Sequence, residues 1–94
     1  MASRRDATFF VESYVPKLDD ATATAMLSRL RTAVDELRRE GHRLRLLRSF
    51  VLVDEETYVW MVAARDIEEV ALLNRRAAVP CDHVVEVVGV EGGR

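Results

Sequence analysis

LRLLRSFVLVDEETYVWMVAA, residues 44–64, reads as two β-strands joined by a short acidic turn. Both runs are rich in β-branched and aromatic residues, whereas Asp54, Glu55 and Glu56 between them are poor strand formers. Successive strand residues point to opposite sides, so Thr57 to Ala64 carries two apolar sets. Tyr58, Trp60 and Val62 form one, and Val59, Met61 and Ala63 the other. In Leu44 to Val53 the strict alternation breaks near Leu46–Leu47. The spacing there predicts a bulge, or a strand that starts only at Leu47. An isolated hairpin is barely stable in water, so this one needs further strands and a helix layer over it.

Both are present on its flanks. Before the hairpin, Asp19 or Asp20 can cap a helix that runs to about Glu40, with Met26, Leu27, Leu30, Val34 and Leu37 as its apolar stripe. Arg31, Arg38 and Arg39 with Asp35 and Glu36 read as its solvated face, and Gly41 as its stop. Further out, Ala7 to Val15 (ATFFVESYV) is a strand. Phe9, Val11, Ser13 and Val15 share one side; Phe10, Glu12 and Tyr14 share the other, and Pro16 ends the run. After the hairpin, Asp66 caps a second helix, with Glu69 as a capping-box partner and Ile67, Val70, Ala71 and Ala77 as the buried stripe. Pro80 closes it, His83 to Val90 (HVVEVVGV) is the last strand, and Glu91 to Arg94 reads as a frayed tail.

The order strand, helix, strand, strand, helix, strand predicts an α+β fold, the ferredoxin-like βαββαβ sandwich. Right-handed crossovers then set the strand order four, one, three, two in an antiparallel sheet, with both helices on one face. No repeat or linker interrupts the chain, so residues 1–94 read as one domain with its core at about 7–90.

Composition narrows the function classes. The net charge is −2, and Lys17 is the only lysine. Arg38, Arg39, Arg43, Arg45 and Arg48 cluster, but acidic residues dominate elsewhere and no basic face with interleaved aromatics stands out, which argues against nucleic acid. Cys81 is the only cysteine, so an intrachain disulfide and a CxxC metal ribbon are excluded. Met1 to Asp6 is polar, and no apolar run approaches the roughly 20 residues of a membrane helix, so a cytoplasmic location is expected and a membrane partner is not.

The side of the sheet without helices is where function is expected. If Val11, Val59, Met61, Val85 and Val87 point at the helices, then Phe10, Glu12, Tyr14, Tyr58, Trp60, Val62, Glu86 and Val88 point away. An apolar patch of that kind marks an interface or a ligand site, and a domain of this size is marginal alone. A homodimer through this face, or a dimer that encloses a ligand-sized cavity, are the two expectations. Pairing the midpoints of the first and last strands puts Glu12 opposite Glu86. Two such carboxylates suit a general base or a hard cation; alternatively each pairs with Arg45 or Arg48 of the partner subunit. With the bulge as placed, Arg48 would hold an anion or neutralise a glutamate and Tyr14 would supply a hydroxyl. Phe10, Tyr58 and Trp60 would line the ligand, unless all of these are ordinary interface residues.

His42 and His83 open strands that run in opposite directions, so they cannot share an intrachain metal site. Cys81, Asp82 and His83 offer mixed donors for a transition metal, although three consecutive residues do not easily turn onto one ion. A Ser/His/Asp constellation and a phosphate-cradling glycine loop are both missing from the sequence.

FFVESYVPKL, the hairpin stretch LRLLRSFVLVDEETYVWMVAA, and ALLNRRAAVPCDHVVEV resemble, in order and spacing, a small ferredoxin-like family of high-GC bacteria. Its members are mostly described as a domain of unknown function, and one is described as a nickel-binding protein. The resemblance spans about Ala7 to Val90. It implies the ferredoxin-like fold and a dimer, and it permits a bound transition metal such as nickel. This chain departs from it at Asn74, where relatives carry a histidine. Three readings follow: a small dimeric ligand- or metal-binding protein using the sheet face; a cavity enzyme resembling the dimeric α+β barrel proteins, with Glu12 or Glu86 as base and Arg48 and Tyr14 steadying an anion; and an interaction protein without chemistry.

Overall fold

The structure is a computed structural model, and it describes residues 6–89. Asp19 stands just outside the first helix, and its carboxylate accepts from the Thr22 N–H at 2.8 Å. That bond satisfies one of the donors a helix start leaves free. Helix α1 (Asp20–Arg39) then runs until Gly41 takes φ 103°, the left-handed conformation that favours glycine. There Gly41 N–H donates to Arg38 O at 3.1 Å and His42 N–H to Leu37 O at 2.9 Å, a Schellman stop. Helix α2 (Ile67–Ala77) starts at Asp66, whose carboxylate accepts from Glu69 N–H at 3.0 Å. The Glu69 carboxylate reaches back one residue further than a capping box requires, to Arg65 N–H at 2.7 Å. Its stop matches that of α1, but with Ala78 in the left-handed position at φ 57°.

The strands are β1 (Ala7–Tyr14), β2 (Arg45–Leu52), β3 (Thr57–Ala64) and β4 (His83–Val87). They form one antiparallel sheet in the order β2-β3-β1-β4, the ferredoxin-like topology. The register shifts between Leu46 and Arg48, so the bulge falls where the broken alternation put it. β4 ends at Val87, and Val90 with the glycine-rich tail lies outside the described residues.

The core lies between the helices and one face of the sheet. Phe9 pairs with Val62, Val11 with Trp60 and Ser13 with Tyr58, and all six are buried. Met26, Leu30, Ala33, Val34 and Leu37 of α1 and Val70, Leu73 and Ala77 of α2 close over them. Tyr58 and Trp60 pack with ring centroids 5.6 Å apart, a tilted contact within the range favoured by aromatic pairs. On α2, Ile67 is exposed, and the buried stripe is completed by Leu73 and the polar residues Glu69 and Asn74.

Two strands therefore face the other way from the sequence-based expectation. Tyr58, Trp60 and Val62 point at the helices, and Val59, Met61 and Ala63 point away. Both sets on β3 are apolar, so alternation does not choose between them; the bulkier aromatic set fills the core. β4 pairs three residues away from a midpoint alignment, so that Glu12 faces His83. An odd shift exchanges the faces of a strand. Glu86 consequently pairs with Phe9 on the helix side of this edge strand, where it stays exposed, and Val85 and Val87 lie on the uncovered side.

Candidate functional site

The uncovered face of the sheet follows from the register as four rows across β2, β3, β1 and β4. Arg45, Ala63, Thr8 and Val87 form the first, and Arg48, Met61, Phe10 and Val85 the second. Phe50, Val59, Glu12 and His83 form the third; Leu52, Thr57 and Tyr14 form the fourth. The middle is apolar. Val59 is only 1% exposed although no described helix covers it. Phe50, Leu52 and Val85 remain open to solvent at the margins. Charge is confined to the sides: Arg45 and Arg48 lie on β2, and Glu12 and His83 on β1 and β4. Comparison with protein-family models, with curated proteins and with solved structures finds no match to this chain.

Of the residues expected on this face, Phe10, Glu12, Tyr14 and Arg48 lie on it. Tyr58 and Trp60 do not; both are buried under α1 and cannot line a ligand on the open face. The Glu12–Glu86 carboxylate pair is also absent, since the β4 register places an imidazole beside Glu12. A carboxylate next to an imidazole is a different instrument from two carboxylates: it can pass a proton or hold a polar ligand between a donor and an acceptor.

Tyr14 ends the fourth row and ties two loops together. Its N–H donates to the Asp82 carboxylate at 2.6 Å, and its hydroxyl donates to Glu56 at 3.2 Å. The hydrogen bond to Glu56, then the charge of that carboxylate, holds the phenol above its usual range, so Tyr14 acts as a neutral donor. The Asp82 N–H donates in turn to Glu12 O at 2.8 Å, which sets the β4 register at the Glu12–His83 row.

Cys81, Asp82 and His83 diverge. The Cys81 thiol donates to the backbone oxygen of His83 at 3.9 Å, Asp82 is engaged by Tyr14, and His83 belongs to the sheet row. Among the described residues no group of three metal-ligating side chains converges, so this trio does not fit a transition metal such as nickel. Burial pushes the Cys81 thiol up, which keeps it a poor thiolate. Asn74 is buried near it, on the wall of a shallow cleft with Ala71, Val79, Pro80 and Cys81, and the Asn74 Oδ1 has no partner among the described residues.

His42 lies at the opposite end of the sheet from His83. Its Nδ1 meets the buried carboxylate of Glu69 at 2.8 Å and joins α1 to α2. Among the described residues no helix is long and apolar enough to cross a membrane.

Proposed function

We propose that the chain is a small binding protein that works as a face-to-face homodimer, with its ligand held at the Glu12–His83 side of the uncovered sheet. The observation that carries this reading is an apolar row structure around Met61 and Phe10 that no described element covers. Four strands at about 4.8 Å spacing and eight residues at about 3.4 Å rise give a face of roughly 500 Å² in projection. With side-chain relief this approaches the roughly 800 Å² per partner of a standard interface. The charges favour a second copy as the occupant. A two-fold axis parallel to the strands lays β2 of one protomer over β4 of the other. Arg45 and Arg48 then approach the side that carries Glu12 in the partner, and the apolar rows meet in the middle.

In this reading a single copy offers one carboxylate and one imidazole to a ligand. A metal ion would need donors from both protomers, whereas a small polar molecule could be held by Glu12 and His83 of one protomer together with Arg48 of the partner subunit. The Glu12–His83 neighbour pair also favours a second reading, a cavity enzyme in which Glu12 is the base and His83 relays the proton.

Native mass spectrometry of protein purified without chelator or affinity tag tests the proposal. A dimer that carries a metal ion or small molecule is expected. A clean monomer at concentrations of tens of micromolar, about where weak interfaces dissociate, would remove the sheet-face argument.

A further inference from the structure

A second concave feature lies at the edge of that face, between α1 and the edge strand β2. The groove has a volume of about 500 Å³, within the range of small-molecule sites. Leu27, Val34 and Leu46 give it apolar walls, and Arg31, Arg38, Arg45 and Arg48 stand around it against the single carboxylate of Asp35. Arg38 is engaged, since it donates to Leu44 O at 2.8 Å. Arg31, Arg45 and Arg48 form no ion pair among the described residues. Three exposed guanidiniums without partners, in a chain of net charge −2, are a local excess of the group that best matches phosphate and carboxylate.

The groove continues into a smaller cleft of about 150 Å³, with Leu27 and Ser49 common to both. Tyr58 lines that cleft. It is only 2% exposed, and its hydroxyl has the Ser49 hydroxyl beside it but makes no well-formed hydrogen bond among the described residues. A buried hydroxyl without a partner is costly, and it marks a place where a polar atom is wanted. Burial pushes the Tyr58 phenol up, with the nearby Ser49 hydroxyl and the charge of Arg31 acting the other way, so the residue is a neutral donor beside the groove.

We propose that the α1–β2 groove binds a small amphipathic anion, a phosphate or carboxylate on an apolar body. Arg31, Arg45 and Arg48 take the anionic group, Leu27, Val34 and Leu46 take the apolar body, and the Tyr58 hydroxyl donates to a polar atom at the far end. The bulge at Leu47 puts Arg45 and Arg48 on the same, uncovered side of the edge strand β2, from which both line the rim of the groove.

Isothermal titration with octyl phosphate, octanoate, octanol and inorganic phosphate against the full chain tests this. Octyl phosphate or octanoate is expected to bind at least about tenfold more tightly than octanol or inorganic phosphate. The tighter of the two names the headgroup, and either supports the site. The double variant Arg31→Ser, Arg45→Ser is expected to lose at least about tenfold in that affinity, with an unchanged circular dichroism spectrum, since both residues are exposed. Tyr58→Phe is expected to bind more weakly while the ligand-free protein melts no lower than wild type. Phe10→Arg, which acts on the uncovered sheet face, is expected to leave groove binding intact, and Arg31→Ser, on α1 and away from that face, to weaken groove binding and leave dimerisation intact, so failure of the dimer reading and failure of the groove are told apart. Octanol binding as tightly as octyl phosphate, or affinity unchanged in the double arginine variant, would overturn the proposal.

Discussion

Glu12 and His83 are direct neighbours across β1 and β4, in the third row of the uncovered sheet face. Glu12 is half-buried and His83 exposed. Replacing Glu12 with Gln keeps the shape and removes the charge. We expect the unfolding free energy to change by no more than about 0.5 kcal/mol, as for most substitutions at unburied sites, and the ligand detected by native mass spectrometry to be lost. A Glu12→Gln chain that stays monomeric at concentrations where the wild type pairs would make the carboxylate structural and the site assignment wrong.

Met61 lies in the middle of the same face, beside Phe10 on β1 and Arg48 on β2. A charge there meets its own copy or a neighbouring guanidinium once two sheets close on each other. Met61→Arg is expected to leave the fold in place, because the side chain can extend into solvent in the monomer. The same substitution is expected to weaken dimerisation by at least about 100-fold, the scale of a buried unpaired charge at an interface. Sedimentation velocity reads this directly. An unchanged dimer would move the contact away from the sheet face.

The element order, both helix starts, the glycine stop at Gly41 and the bulge on β2 were legible in the sequence because each rests on a local rule. Asp19 precedes a helical apolar stripe, Gly41 follows one, and Leu46–Leu47 breaks an alternation. The faces of β3 and β4 were not legible in the same way. Val59 and Met61 are as apolar as Trp60 and Val62, so only the competition for core volume decides which set goes inside. The β4 register depends on Asp82 reaching Tyr14 and Glu12, contacts 68 residues apart in one case. The α1–β2 groove had a readable trace: Arg31, Asp35 and Arg38 share one side of the helix at intervals of three and four residues. It looked like a solvated face because the strand order puts β2 at the sheet edge without saying that α1 and β2 leave a groove between them.

Ala78 offers a test of local strain. It holds φ 57° at the end of α2, a left-handed conformation that costs an L-residue with a Cβ roughly 1 kcal/mol and costs glycine little. The residue is exposed, so no packing is lost on removing the methyl group. Ala78→Gly is therefore expected to stabilise the protein by about 0.5–1 kcal/mol, after the larger unfolded-state entropy of glycine is set against the relief. The urea midpoint should rise with an unchanged slope. A lower midpoint would place the left-handed residue elsewhere.

Glu69 connects the two helices to pH. Its side chain is 4% exposed; it accepts from the Arg65 N–H at 2.7 Å, meets His42 Nδ1 at 2.8 Å, and has the Arg65 guanidinium at 3.5 Å. Burial alone would raise the carboxyl, but the Arg65 N–H, His42 and the Arg65 charge together hold it below the usual 4.5. In the window between the lowered folded value and 4.5, the unfolded chain binds more protons than the native one, so stability rises with pH there. The contribution is complete above the unfolded value and is lost as pH falls through the folded one. Glu69→Gln keeps an acceptor for the Arg65 N–H but loses the charge, and should cost about 1–2 kcal/mol near neutral pH. In chemical denaturation repeated from neutral to acid pH, the two curves should draw together as the carboxyl of the wild type protonates. A constant gap between them at all pH values would mean that the ionised form of Glu69 is not what ties α2 to His42.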